Sequence, residues 1–234
     1  MSLLYEYTKE FLSTANIDNG HGFDHALNVI RHAKKAIAMS TQIITEEQKQ
    51  IIEYSCLLHD VDDHKFFPES VNFSNAKMLL LKANCTINLT LIIKLISLIS
   101  CSVNGNFIYK DIEEWMLYPR IADRLESIGY IGIERAIEYG NYINRPMYNN
   151  KTIRVKTIEE LMNVATLERF EKYVGSHKNI DPTTATTIDH FYDKVIHISQ
   201  YKYYGVNNIY FKIIADERLS IVQDYILEYW KYHC

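Results

Sequence analysis

The chain has 234 residues, 47% of them hydrophobic, which is ample for one extended core. A formal charge of −4 and an isoelectric point near 6.1 exclude the globally basic surface that attracts polymeric DNA or RNA. Small anionic ligands stay open, because a bound dication dominates its local field whatever the net charge.

Leu3 to Ala15 reads as a short amphipathic helix, ended by the Asn, Asp and Gly residues of Asn16 to Gly22. From Phe23, residues Val29, Ile30, Ala33, Ala36 and Ile37 recur at helical spacing and mark a core-facing stripe. His25 lies one turn before Val29 on that stripe. His21 precedes it by four residues, so both imidazoles share a face if the helix begins early enough. Thr45-Glu46-Glu47 opens the next helix with a capping hydroxyl and acids suited to the positive end of the helix dipole. On it, Ile52, Ser55, Cys56 and His59 share a face that delivers His59 inward. Asp60 follows about 100° round the axis, so an imidazole nitrogen and a carboxylate oxygen can serve one divalent cation.

The charged continuation Asp62-Asp63-His64-Lys65 reads as a catalytic loop rather than a simple helix stop. Asp63 and His64 are the candidate catalytic residues, Asp63 to position or deprotonate water. His64 and Lys65 are the candidates to hold phosphate oxygens. A solvated charged turn is the competing reading.

Phe73 to Ala83 and Ile87 to Ser102 predict two further helices, the second buried on most sides. In Tyr118 to Gly129, the apolar face of Ile121, Ala122, Leu125 and Ile128 includes Asp123, a carboxylate that needs a partner if buried. Metal ligation supplies one. Arg124 diverges by about 100° and is expected to reach a different carboxylate. Gly129 and Gly132 bracket Tyr130-Ile131, helical spacing resumes over Ile133 to Tyr139 before Gly140, and the small residues of this stretch allow close helix contact. Asn141 to Lys151 predicts a long loop, and Thr157 to Val174, Thr183 to Gln200 and Ile209 to Tyr232 three closing helices. There is no internal repeat. The expectation is an all-α fold, one domain over residues 1–234 with a C-terminal helical extension packed on it.

Cys56, Cys85, Cys101 and Cys234 show no C-x-x-C spacing, and three lie in apolar stretches, which points to a reducing, cytoplasmic setting. The first twelve residues mix Glu6, Lys9 and Glu10 with apolar residues, unlike a signal peptide. Ile87 to Cys101 is shorter than the ~20 residues of a membrane span and is interrupted by Lys94, so no membrane association is expected.

Together, His25, His59-Asp60 and Asp123 form the pattern H…HD…D, and the chain resembles the HD-domain metal-dependent phosphohydrolases. Leu57 to Phe66, Ala122 to Ile133 and His190-Phe191-Tyr192-Asp193-Lys194, with His21-x-x-x-His25, resemble more closely the small bacterial YpgQ/YedJ-like branch. The resemblance implies an HD-type helical bundle with one divalent ion held by His25, His59, Asp60 and Asp123. It also implies hydrolysis of nucleoside triphosphates to monophosphate and pyrophosphate. Phosphomonoesterase or cyclic-nucleotide phosphodiesterase activity, and a nucleotide sensor without turnover, are the alternatives. Mixed nitrogen and oxygen ligation suits Mn²⁺, the first expectation, and also Mg²⁺, Fe²⁺, Ni²⁺ or Zn²⁺. His21, Lys65, His190 and Lys194 are the expected substrate contacts, and a small nucleotide and a second copy of the chain are the expected partners. The chain departs from the branch at Gly22 and Ile121, where Asp is usual, and at Glu126-Ser127 in place of Asp-Ala.

Overall fold

The computed structural model describes residues 3–14, 22–108, 110–176 and 186–233, and among these every regular element is helical, without a strand. In chain order the helices are α1 (Leu3–Thr14), α2 (Phe23–Ala38), α3 (Glu46–Leu58), α4 (Ser74–Lys82), α5 (Leu89–Ile99), α6 (Cys101–Asn104), α7 (Tyr118–Glu126), α8 (Gly129–Tyr142), α9 (Ile158–Val164), α10 (Leu167–Ser176), α11 (Thr187–His190), α12 (Ile196–Ile198) and α13 (Ile209–Tyr232). A 3-10 turn covers Glu114–Leu117 and another Tyr201–Tyr203, and Phe191–Val195 forms a π-helical turn. No described helix is long and apolar enough to cross a membrane. Residue contacts group into two units, each assembled from separate stretches of chain.

The first unit comprises Met1–Ser100, Tyr109–Asp123 and Gly205–Tyr210. Its centre is the packing of α2 on α3, with α5 also packed on α3. The stripe Val29, Ile30, Ala33 and Ala36 of α2 is buried as its spacing predicts, and so are Ile51, Ile52, Cys56 and Leu58 of α3. Each fully buried aliphatic side chain contributes roughly 1.5–3 kcal/mol. Thr45 caps α3 reciprocally: its hydroxyl accepts from the Gln48 amide at 3.2 Å, and Gln48 accepts from the Thr45 amide at 2.9 Å. Asn208 ties down the C-terminal end of α2, donating from Nδ2 to the Ala36 carbonyl at 2.8 Å.

The second unit comprises Cys101–Ile108, Arg124–Tyr204 and Phe211–Cys234. Arg169 ties α10 to the π-helical turn, donating from Nη2 to Asp189 at 2.9 Å and from Nε to Asp193 at 2.5 Å. Trp230, only 1% exposed, donates to the Tyr192 hydroxyl at 2.8 Å. Close helix contact does occur at a small residue. A Cβ on Gly140 would lie 2.6 Å from the Thr187 hydroxyl, so α8 and α11 meet where only glycine fits.

Three expected helices are divided in the structure. Ala165, at φ −78° and ψ 65°, separates α9 from α10, and Thr166 then accepts from the Arg169 amide at 3.3 Å to start the second. Ser100 separates α5 from α6. The described part of the Thr183 to Gln200 segment changes from α to π winding at Phe191 and back at Ile196. Conversely, α8 begins already at Gly129 and runs to Tyr142, shortening the expected loop at its start.

Candidate metal centre

His25 sits in the first turn of α2 and is buried. His59 stands at the end of α3, where carbonyls lack intrahelical partners. Its Nδ1 lies 2.7 Å from one of them, that of Cys56. A carbonyl can only accept, so Nδ1 carries a proton, and Nε2 presents its lone pair inward whenever the imidazole is neutral. The helix end thereby sets both the tautomer and the ring orientation.

Four donor atoms converge beyond it. His59 Nε2 is 3.2 Å from His25 Nε2, 3.2 Å from Asp60 Oδ2 and 3.6 Å from Asp123 Oδ1. His25 Nε2 is 3.3 Å from Asp123 Oδ1 and 3.7 Å from Asp60 Oδ2. Donors about 2.0–2.2 Å from one ion would stand roughly 3–3.5 Å apart, so these spacings fit a shared divalent cation. His25, His59 and Asp60 keep one donor each within 4.8 Å of one another, and Asp123 joins them through both imidazoles. The histidine side chains are 5% and 2% exposed, the carboxylates 14% and 22%. The imidazoles form the floor, and solvent reaches the centre on the carboxylate side.

The electrostatics follow from this packing. Burial alone would push His59 down, but Asp60 and Asp123 outweigh it and hold the imidazole well above its usual range. Burial would raise Asp123, yet hydrogen bonds with His25 and His59 hold its carboxyl well below the usual carboxylate range. The cluster is thus built to balance two carboxylates with positive charge, which protons or a dication can supply.

The loop after the motif divides its two carboxylates between different tasks. Asp63 Oδ1 accepts from the Lys65 amide at 2.9 Å, and His64 and Lys65 are exposed. Asp62, to which the sequence reading gave no role, accepts from the amides of Asn75 at 2.9 Å and Ala76 at 3.0 Å. The available signal was the residue before α4: Phe73 has no side chain able to cap a helix, so the cap had to come from elsewhere.

Arg124 corrects an expectation, because among the described residues it pairs with no carboxylate. It is 2% exposed and donates to the Gly105 carbonyl and to Asn106 Oδ1, the latter at 3.0 Å. His190 and Lys194 belong to the second unit and meet there at one ring, His190 edge-on to Tyr173 at 5.7 Å and Lys194 6.0 Å over it. His21 lies outside the described residues. Ile121 is fully buried, and Glu126 pairs with Arg218 at 3.4 Å.

No protein-family model matches the chain. The protein L803 of Acanthamoeba polyphaga mimivirus is 38% identical over 235 residues, covering 94% of this chain and 92% of that protein. An HD-superfamily hydrolase from Bacillus thuringiensis superposes with a TM-score of 0.63 at 19% identity, covering 98% of this chain and 94% of its own. Bacillus subtilis YpgQ, solved in complex with ADP, gives 0.63 at 16% identity, covering 97% and 92%. At such identities the likeness is one of fold. The chain belongs to one family with the mimivirus protein L803, and its fold is that of the YpgQ-like HD-domain proteins.

Proposed function

We propose that this protein is a metal-dependent phosphohydrolase, and specifically a nucleoside triphosphate pyrophosphohydrolase that releases the monophosphate and pyrophosphate. The observation that carries the reading is the convergence of His25, His59 and Asp60, joined by Asp123 through both imidazoles, with the imidazole nitrogens 3.2 Å apart and 3.2 to 3.7 Å from the carboxylate oxygens. Those four residues would hold the ion, and a set of two nitrogens and two oxygens suits Mn²⁺, the ion tested first, as well as Mg²⁺, Fe²⁺, Ni²⁺ or Zn²⁺. When bound, such an ion supplies a water of lowered pKa and positive charge beside phosphorus.

The chain's own residues account for the other requirements. The buried imidazoles keep their face of the centre dry, and the more exposed carboxylates leave room for a phosphate oxygen and water. Asp63 is held in its turn by the Lys65 amide through Oδ1, and its other oxygen orients the attacking water or takes its proton. Exposed His64 and Lys65 meet phosphate oxygens, Lys65 balancing charge on the departing pyrophosphate. The fold shared with YpgQ, which was solved with ADP, supports a nucleotide as the ligand.

The test is a panel of ribo- and deoxyribonucleoside triphosphates, with mono-, di- and cyclic phosphates beside them, incubated with Mn²⁺ and the products separated. Attack at the α-phosphorus gives monophosphate and pyrophosphate, the expected outcome. Diphosphate and orthophosphate from triphosphates, with no pyrophosphate released, would refute the pyrophosphohydrolase while leaving a hydrolase. No turnover with any of several metals would refute both.

A further inference from the structure

The turn that carries Asp60 is held from outside its own helix. α3 ends at Leu58, and Asp60 lies past it in a turn closed by the Val61 amide on the Leu58 carbonyl at 3.3 Å and by the Asp63 amide on the Asp60 carbonyl at 3.1 Å. Two positions on, Asp62 reaches the start of α4. Its Oδ1 accepts from the Asn75 amide at 2.9 Å and from the Ser70 hydroxyl, and its Oδ2 accepts from the Ala76 amide at 3.0 Å. Asn75 closes the contact in the other direction, donating from Nδ2 to the Val61 carbonyl at 2.8 Å.

Amides at a helix start are ordinarily capped by the residue just before the helix. Here that residue is Phe73, at φ 59° and ψ 42°, with no side-chain cap bond, and Asn72 before it has φ 53°. A bulky side chain in the left-handed region is a conformational outlier and persists only where its surroundings hold it. This strained pair turns the amide end of α4 toward Asp62, whose negative charge suits the positive end of the helix dipole. Phe67, stacked on Phe11 at 5.0 Å, anchors the intervening loop against α1.

We propose that Asp62 is a positioning residue for the metal centre: by capping α4 from the preceding loop, it clamps the turn so that Asp60 meets the two imidazoles. The proposal rests on the reading of the four-residue cluster as a cation site. Outer partners that orient metal ligands typically set 10–100-fold in affinity.

The full-length chain and its Asp62→Ala, Asp62→Asn and Thr157→Ala variants are titrated with Mn²⁺, with free Mn²⁺ followed by electron paramagnetic resonance. Thermal unfolding of the metal-free proteins is recorded alongside. Asp62→Ala is expected to weaken Mn²⁺ binding about tenfold, and Asp62→Asn, which keeps an acceptor oxygen, to recover part of the loss. Thr157 caps α9 by accepting from the Glu160 amide at 3.1 Å, so its variant is expected to melt earlier with unchanged Mn²⁺ affinity. Unchanged affinity in Asp62→Ala with a lowered Tm would make Asp62 an ordinary cap and overturn the proposal. If Asp62→Ala does not fold, Asp62→Asn and Ser70→Ala decide, and parity of both with the unsubstituted chain overturns it. Failure of the unsubstituted chain to bind Mn²⁺ would strike the cation reading itself, and this proposal with it.

Discussion

Replacing Asp123 by alanine separates the metal centre from the stability of the rest of the molecule. Asp123 Oδ1 stands 3.3 Å from His25 Nε2 and 3.6 Å from His59 Nε2, so the substitution removes the one donor brought by α7 and leaves three. At a free Mn²⁺ concentration one hundred times Kd, binding stabilises the native state by about 2.7 kcal/mol. For a chain of 234 residues, each kcal/mol raises Tm by about 2–4 °C, so Mn²⁺ is expected to raise the melting temperature by about 5–11 °C. In Asp123→Ala that increment should disappear at the same concentration, with helical circular dichroism preserved. The assay is thermal unfolding with Mn²⁺ and with a chelator, together with metal analysis of the dialysed proteins. A variant showing the same Mn²⁺-induced rise as the unsubstituted chain would refute the assignment of Asp123 to the centre.

Other expectations follow from single contacts. Asp63→Asn should depress turnover strongly with Mn²⁺ content unchanged, whereas Lys65→Ala should mainly raise KM; equal loss of metal in both, read by metal analysis, would contradict these roles. Gly129→Ala imposes a left-handed φ of 69° on alanine and brings its Cβ to 2.9 Å from Arg218 Cγ, disturbing the guanidinium that donates to the Leu125 carbonyl. A loss of about 2–4 kcal/mol in urea unfolding is expected, and less than about 0.5 would be inconsistent with that strain. His197 is 2% exposed and stacked on Phe170 at 5.0 Å, and burial pushes its pKa down. Its contribution is therefore intact above the unfolded value of about 6.5 and is lost as pH falls from there toward the folded value. His197→Phe should flatten the fall of Tm between pH 7.5 and 5.5, and an unchanged slope would exclude His197 as its source.

Local signals were enough for the all-α class and for most helix starts, because a buried stripe repeats every 3.6 residues and a cap such as Thr45 lies next to the helix that it serves. The ligand candidates were legible for a related reason. A histidine or an acid set on an apolar stripe is costly unless something compensates it, and His25, His59 and Asp123 all sit in that setting. What the one-dimensional pattern lacked was any measure of partnership across the chain. Asp62 and Asp63 are adjacent and chemically identical in sequence, and only the folded structure shows that Asp62 caps a helix starting at Ser74 while Asp63 stays in its own turn. Arg124 likewise found a carbonyl and an amide where charge alone predicted a carboxylate. The breaks at Ser100 and Ala165 and the π winding at Phe191 carry no glycine or proline to announce them. Hydrophobic periodicity and terminal caps are properties of a few neighbouring residues, so sequence determines them directly. The partner of a polar group depends on which distant backbone atoms the packed helices bring within hydrogen-bonding reach, and tertiary structure alone decides that.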